Sequence, residues 1–329
     1  MLVYATNFIE QRRRILAAGL GVALAGVSSI THSADNRPIK LIVPFGAGSA
    51  VDTLARLAID RTVNHLGIPV VIDNRSGAGG GVGAGAAAQT APDGTNLFFG
   101  TAGTHGINPA LYRKLPYDPV KDFDPVIGIS SSSNVLLVNP KSGIKSLSDL
   151  IARAKANPGV LSMGSTGNGT TPHLSGAVLN RMANIETNHI PYKSSPILDV
   201  VAGRLDYCFE SVPSAIPFIQ SGQAHPVAVT ARRREALLPA VPTIEESGYP
   251  EYEVMAWVAI FAPRGTPKEF IERFNKAANK ALAEPEFIRR LAEIGGTPIG
   301  GTPMDLQKRV TVELARWPEI IKAANITID

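Results

Sequence analysis

Three glycine-rich stretches, each set after an apolar segment, hold the residues of this chain best suited to chemistry. The first, Pro44-Phe45-Gly46-Ala47-Gly48-Ser49, runs into a helical pattern that begins at Ala50. Glycines there let the backbone approach a ligand closely, and the unpaired N–H groups of a helix start favour negative charge. Asp52 follows Ser49 by three residues. That spacing serves a capping box with Ser49 as N-cap, and equally a ligand contact by Asp52. Another stretch, Gly164-Ser165-Thr166-Gly167-Asn168-Gly169-Thr170-Thr171, precedes Pro172, so Thr171 reads as an N-cap and Pro172 as first-turn proline. The hydroxyls of Ser165, Thr166 and Thr170 then stand beside a second helix N-terminus. Two such starts facing each other would clamp a carboxylate.

The remaining stretch contains Gly79-Gly80-Gly81-Val82-Gly83-Ala84, which satisfies the dinucleotide pattern G-x-G-x-x-A. It lies away from the first strand–turn–helix, and no acidic residue ends a strand about 20 positions on. Close packing of a small-residue helix accounts for it better. The chain has no G-x-S-x-G elbow, P-loop or H-E-x-x-H. His105, His173 and His189 lack metal-ligand spacing, and His173 suits a hydrogen bond to the loop before its helix. Catalytic triads are recognised by geometry, which leaves a secreted hydrolase as the rival reading. Cys208, the only cysteine, has no disulfide partner and reads as core. No metal or cofactor is expected, and no enzymatic activity.

The elements that must position these loops alternate. Ile39–Val43, Val70–Ile72, Leu97–Phe99, Val135–Val138, Val160–Met163 and Val227–Val229 read as strands, with helical patterns at Ala50–His65 and Leu147–Ala156. Such alternation predicts parallel sheets flanked by helices. Pro267–Ile294 and Pro303–Ala324 read as an amphipathic helical tail returning to the first lobe. The lobe change is placed near Ser133-Asn134 and the return near Met255-Ala256-Trp257. This gives residues 34–133 and 255–329 as one α/β lobe, residues 134–254 as the other, and a hinged cleft between them.

At the N-terminus, Arg12-Arg13-Arg14, the uncharged run Ile15–Ile30 and the small residues before Asp35 have the order of a secretory signal peptide, cleaved near Ser33-Ala34. The run is shorter than the ~20 apolar residues of a spanning helix. The net charge of +4 is too weak and dispersed for nucleic-acid binding, and no basic run is interleaved with aromatics.

At its loops the chain resembles the substrate-binding proteins of tripartite tricarboxylate transporters, the TctC or Bug family. The resemblance rests on P-I-K-L-I-V-P-F-G-A-G-S-A-V-D from Pro38 to Asp52, N-R-S-G-A-G-G from Asn74 to Gly80, and Ala91-Pro92-Asp93-Gly94. It continues through Gly103–Tyr112, Gly164–Leu174, Pro191-Tyr192-Lys193, Ala228-Val229-Thr230 and Val241-Pro242-Thr243. It implies a two-lobed α/β periplasmic-binding-protein-like (type II) fold with two crossover connections and a ligand cleft between lobes. It also implies a monomeric periplasmic receptor that delivers a small organic anion to integral-membrane transporter subunits. A ligand-sensing role toward a sensor kinase is the alternative. Carried over residue by residue, ligand contacts fall on Phe45, Ala47, Gly48 and Asp52, with Thr104 and His105 on a further first-lobe loop. In the second lobe they fall on Ser165, Gly167, Gly169, Thr170, Tyr192 and Glu210. Water bridges to the carboxylate are expected, so no arginine clamp is required.

Departures concentrate where the far end of the ligand should sit. Gly46 replaces a common proline and Ser49 a usual glycine, but Ser194-Ser195-Pro196 and Glu210-Ser211 are the changes that bear on ligand identity. A carboxylate at Glu210 suits a ligand hydroxyl or amine, or serves as a hydrogen-bonded structural group.

Overall fold

Residues 37–192, 194–323 and 326 are described by a computed structural model, so the expected leader, residues 1–33 with its cleavage point near Ser33-Ala34, lies outside the described residues. Strands β1 (Ile39–Val43), β2 (Val70–Asn74) and β3 (Asn96–Thr101) are parallel in the order β2-β1-β3, connected through α1 (Ala50–Leu66) and α2 (Gly81–Ala88). Helix α1 starts where Ser49 Oγ accepts the Asp52 N–H and stops at Gly67, whose φ of 73° glycine adopts without steric cost. Its buried residues Ala55, Ala58, Ile59, Thr62 and Leu66 follow the helical period and face the sheet. After β3, a turn of π-helix at Gly103–Ile107 leads into the short α3 (Asn108–Leu111).

Strand β4 (Phe123–Val138) is 16 residues long, about three times the common strand length, and the remaining architecture is arranged along it. Helix α4 (Leu147–Ala156), started by a two-way capping box of Ser146 and Asp149, follows it. Then come β5 (Ser162–Ser165), α5 (Thr171–Ala183), β6 (Asn188–Pro191), α6 (Ile197–Val201), β7 (Tyr207–Ser211), α7 (Val212–Gln220) and β8 (His225–Val229). The chain ends with β9 (Met255–Pro263), α8 (Lys268–Leu282), α9 (Pro285–Glu293), β10 (Thr297–Gly300) and α10 (Pro303–Ala323). Through Ser133, β4 pairs antiparallel with β9, which pairs in turn with β3. From Asn134 to Val138 it pairs antiparallel with β7 and β8, and β7 leads on to the parallel strands β5 and β6. Two α/β lobes result, joined by β4 in one direction and by the entry to β9 in the other.

The sheets are therefore mixed rather than parallel as the alternation predicts, because β4 and β9 both run against their neighbours. Thr230 ties the two crossings together. Its hydroxyl accepts the Asn134 N–H at 2.8 Å and donates to the Val254 carbonyl at 2.7 Å. Its own N–H and C=O bond to Asn134 O and Val254 N. All of this is buried, where each bond spares an unpaired polar group.

Helix α8 turns Ile271, Phe274, Ala278 and Leu282 into the same core as α1, β1 and β9. Helix α10 shares Leu306, Val310 and Trp317 with a second core that also holds Leu174 and Val178 of α5. The tail thus touches both groups of strands. Among the described residues no helix is long and apolar enough to cross a membrane. Phe274 is fully enclosed, so Phe274→Ala should destabilise the protein by about 3–5 kcal/mol in chemical denaturation. A loss of only a few tenths of a kcal/mol would contradict this packing.

Candidate ligand-binding site

Two adjoining chambers lie between the lobes. The first, about 200 Å³, is walled by Phe45, Val51 and Tyr112 on one side and by Gly169, Thr170 and Thr171 on the other. The second, about 360 Å³, is walled by Leu54, Asn134, Pro172 and Glu210 among others. Val51, Thr170, Thr171 and the strand Ala256-Trp257-Val258 belong to both walls. The second volume falls in the range of small-molecule sites. A larger cavity of about 510 Å³, lined by His173, Asn180, Arg181 and His189, receives no residue of α1 or the Phe45 loop, so the converging helix starts are not there.

The starts of α1 and α5 thus reach one space from opposite lobes. In α1 the Asp52 N–H is taken by Ser49 Oγ and the Thr53 N–H by Ser49 O, leaving Ala50 and Val51 with amides that have no intrahelical acceptor. In α5, Thr170 is the N-cap, one residue before the expected Thr171, and its hydroxyl accepts the His173 N–H at 3.5 Å. Pro172 has no N–H, so Thr171 carries the remaining open amide. The Trp257 indole N–H is buried without a partner among the described residues. These donors, with the positive ends of two helix dipoles, suit an anion.

Behind the walls, side chains hold the loops. The Asp52 carboxylate accepts from the Gly48 N–H at 2.9 Å, Asn74 Nδ2 at 3.0 Å and Arg56 Nε at 3.0 Å. The Arg56 bond, aided by Asn74 and Gly48 against the opposing effect of burial, lowers its pKa to about 2. This is a capping arrangement, with the returning bond on Gly48 rather than on the N-cap residue. In the second lobe Ser165 Oγ lies 2.7 Å from His189 Nε2 and accepts the Gly167 N–H at 3.2 Å. The Gly169 N–H donates to His173 Nδ1 at 3.1 Å, the loop bond expected of His173. The imidazoles of His173 and His189 stack 3.8 Å apart. Burial, and for His173 also the neighbouring His189, lowers their pKa values to about 3 and about 4.

Phe45, Gly169, Thr170 and Glu210 of the expected contacts line the chambers. Asp52, Thr104, His105 and Ser165 are buried behind the walls instead. His105 stacks on Phe261 at 3.7 Å, its Nδ1 lies 2.9 Å from Thr104 Oγ1, and burial lowers its pKa to about 3. Ala47 and Gly48 are exposed and line neither chamber. Tyr192 braces the Ser165 loop through its N–H to Ser165 O, while its hydroxyl donates to Asp199 at 2.5 Å. Gly167 faces the Tyr192 carbonyl. Trp257, Asn108, Tyr112 and Asn134 are wall residues that the sequence does not mark as ligand contacts, although Asn134 stands at the expected lobe change. Asn108 and Tyr112 lie inside the quoted Gly103–Tyr112 motif, and Trp257 marks the expected return crossing.

Two lobes joined by two crossings, with a cleft lined from both sides, define a two-lobed periplasmic-binding-protein-like fold of type II. A family model described as the tripartite tricarboxylate transporter family receptor, TctC, matches residues 54–326. The UPF0065 protein of the tcbD–tcbE intergenic region of Pseudomonas sp. strain P51 is 38% identical over 318 residues, 94% of each chain. Among solved structures, R. palustris Rpa4515 with adipate has a TM-score of 0.79 at 38% identity, covering 88% of this chain and 98% of that one. MatC from Rhodopseudomonas palustris with bound malate has a TM-score of 0.75 at 32% identity, covering 87% and 99%. The chain belongs to the tripartite tricarboxylate transporter receptor family.

The histidine pair sets a pH dependence. His173 and His189 titrate near 3 and 4 when folded against an ordinary 6.5, so the unfolded chain binds more protons as pH falls. Their support is complete above 6.5 and is lost progressively as pH drops toward the folded values. Melting temperature should therefore fall between pH 6.5 and 4.5, and His189→Gln should flatten that slope. An equal slope in the variant would contradict the assignment.

Proposed function

We propose that this protein is an extracytoplasmic receptor that captures a small carboxylate between its lobes and presents it to integral-membrane transporter subunits. The observation that carries the reading is the convergence of the open amides of Ala50, Val51 and Thr171 and the Trp257 N–H on one cleft. The relatives with adipate and malate supply the ligand class by similarity. In this reading residues 1–33 are the export leader and the protein works in the periplasm as a monomer. Residues 34–133 with 255–329 form one lobe and residues 134–254 the other, with closure bending the chain at the two crossings beside Thr230. Phe45, Gly169, Thr170 and Glu210 touch the ligand. Ala47, Gly48, Gly167 and Tyr192 approach it on closure, and Asp52, Thr104, His105 and Ser165 shape the loops.

A binding protein rather than a hydrolase is favoured by Ser165. Its short contact with His189 looks like half of a triad, but the serine is fully buried and its hydroxyl is committed to the Gly167 backbone. His189 stacks on a second histidine.

Adipate and malate offered to the purified protein should raise its melting temperature and be recovered unchanged. At a hundredfold excess over Kd, a ligand that binds only the folded form adds about 2.7 kcal/mol. Absence of a shift with any small carboxylate, or conversion of the ligand, would overturn the reading. Gly167→Val should remove the shift while leaving the unliganded melting temperature within a few degrees. Its φ of +124° disfavours a side chain, but at this half-buried loop position an added Cβ would meet nothing closer than the Tyr192 carbonyl at 3.4 Å, so the strain stays local. Retained binding in that variant would remove the 165–170 loop from the site.

A further inference from the structure

The second chamber carries donors and an acceptor together. Ala50, Val51, Thr171 and Trp257, which bear the donors, line it along with Glu210, only 4% exposed. Glu210 Oε1 accepts the Ser211 N–H at 2.8 Å and the Ser211 hydroxyl at 3.3 Å. Its Oε2 is buried and has no partner among the described residues. Nearby donors are engaged elsewhere, since Asn134 Nδ2 donates to Ser175 and Ser211 Oγ also reaches Ser214. Among the described residues no lysine, arginine or histidine lines either chamber, and Glu210 is the charged side chain in their walls.

A buried carboxylate oxygen without a donor is costly, and Glu210 lines the ligand chamber. A ligand group placed there recovers that cost if it donates. A second carboxylate would instead set two like charges together in a desolvated pocket. An ammonium is the strongest donor available, because its bond to a carboxylate is charge-assisted.

We infer that Glu210 makes this site selective for a carboxylate bearing an ammonium at its far end, an ω-amino acid, over a dicarboxylate of equal length. The inference rests on the receptor reading above and gives it a ligand class. The relatives with adipate and malate hold ligands with a carboxylate at both ends, so selection at Glu210 would set this chain apart from them.

Isothermal titration of matched probes tests it: 4-aminobutanoate, 4-hydroxybutanoate and succinate, then 6-aminohexanoate, 6-hydroxyhexanoate and adipate. In the length class that binds, the amino acid should bind at least tenfold more tightly than the dicarboxylate, with the hydroxy acid between them. Glu210→Gln, whose amide can donate to a carboxylate, should erase or reverse that ratio. Glu210→Asp should keep its sign at lower affinity, and it serves if the glutamine variant fails to fold. A wild-type preference for succinate or adipate, or a ranking unchanged in folded Glu210→Gln, would overturn the inference while leaving the receptor reading intact. Failure of every probe, with adipate and malate also inert in the melting assay, would overturn both.

Discussion

Backbone amides at a helix start have no acceptor within the helix, and here two such starts open onto one cleft from opposite lobes. The loop glycines and the buried polar network hold those two starts at the cleft wall. Thr170 and Ser49 satisfy some of the donors, and Pro172 removes another, so a small set remains at Ala50, Val51 and Thr171. The unpartnered indole N–H of Trp257 lies in the wall between the two starts. An anion needs no cationic side chain in such a place.

Convergence of the starts depends on β4 and β9. Because β4 runs through both sheets, the register at Ser133-Asn134 fixes where one lobe begins relative to the other. Thr230 then bonds both crossings at once. A second tier holds the loops in their turns: Asp52 with Asn74 and Arg56 in one lobe, and Ser165 with the stacked His173 and His189 in the other. Wall and support are different residues, which is why many of the motif's polar groups are buried away from the cleft.

Much of this was legible in the sequence. Ile39–Val43 and Leu147–Ala156 come out as read, because an apolar run and a capping pair each mark one element. The N-terminal half of β4 was not legible. Pro125, Gly128 and the four serines from Ser130 to Ser133 conceal a strand that is stabilised by its neighbours rather than by its own propensity. Strands β6, β7 and β10 were missed for the same reason, being short and polar or assigned to loops. At the site, the two glycine-rich loops were identified, but not which of their residues face the ligand. That depends on bonds between positions 22 and 24 residues apart, Asp52 to Asn74 and Ser165 to His189, which no local pattern encodes.

A crystal structure of the protein with a bound small carboxylate tests the central claim most directly. The account predicts a ligand carboxylate between the lobes, its oxygens bonded directly or through one water to the amides at Ala50-Val51 and Thr171 and to the Trp257 N–H. A carboxylate lodged instead in the cavity beside His189 and Arg181, or bound within the cleft away from both helix starts, would contradict it.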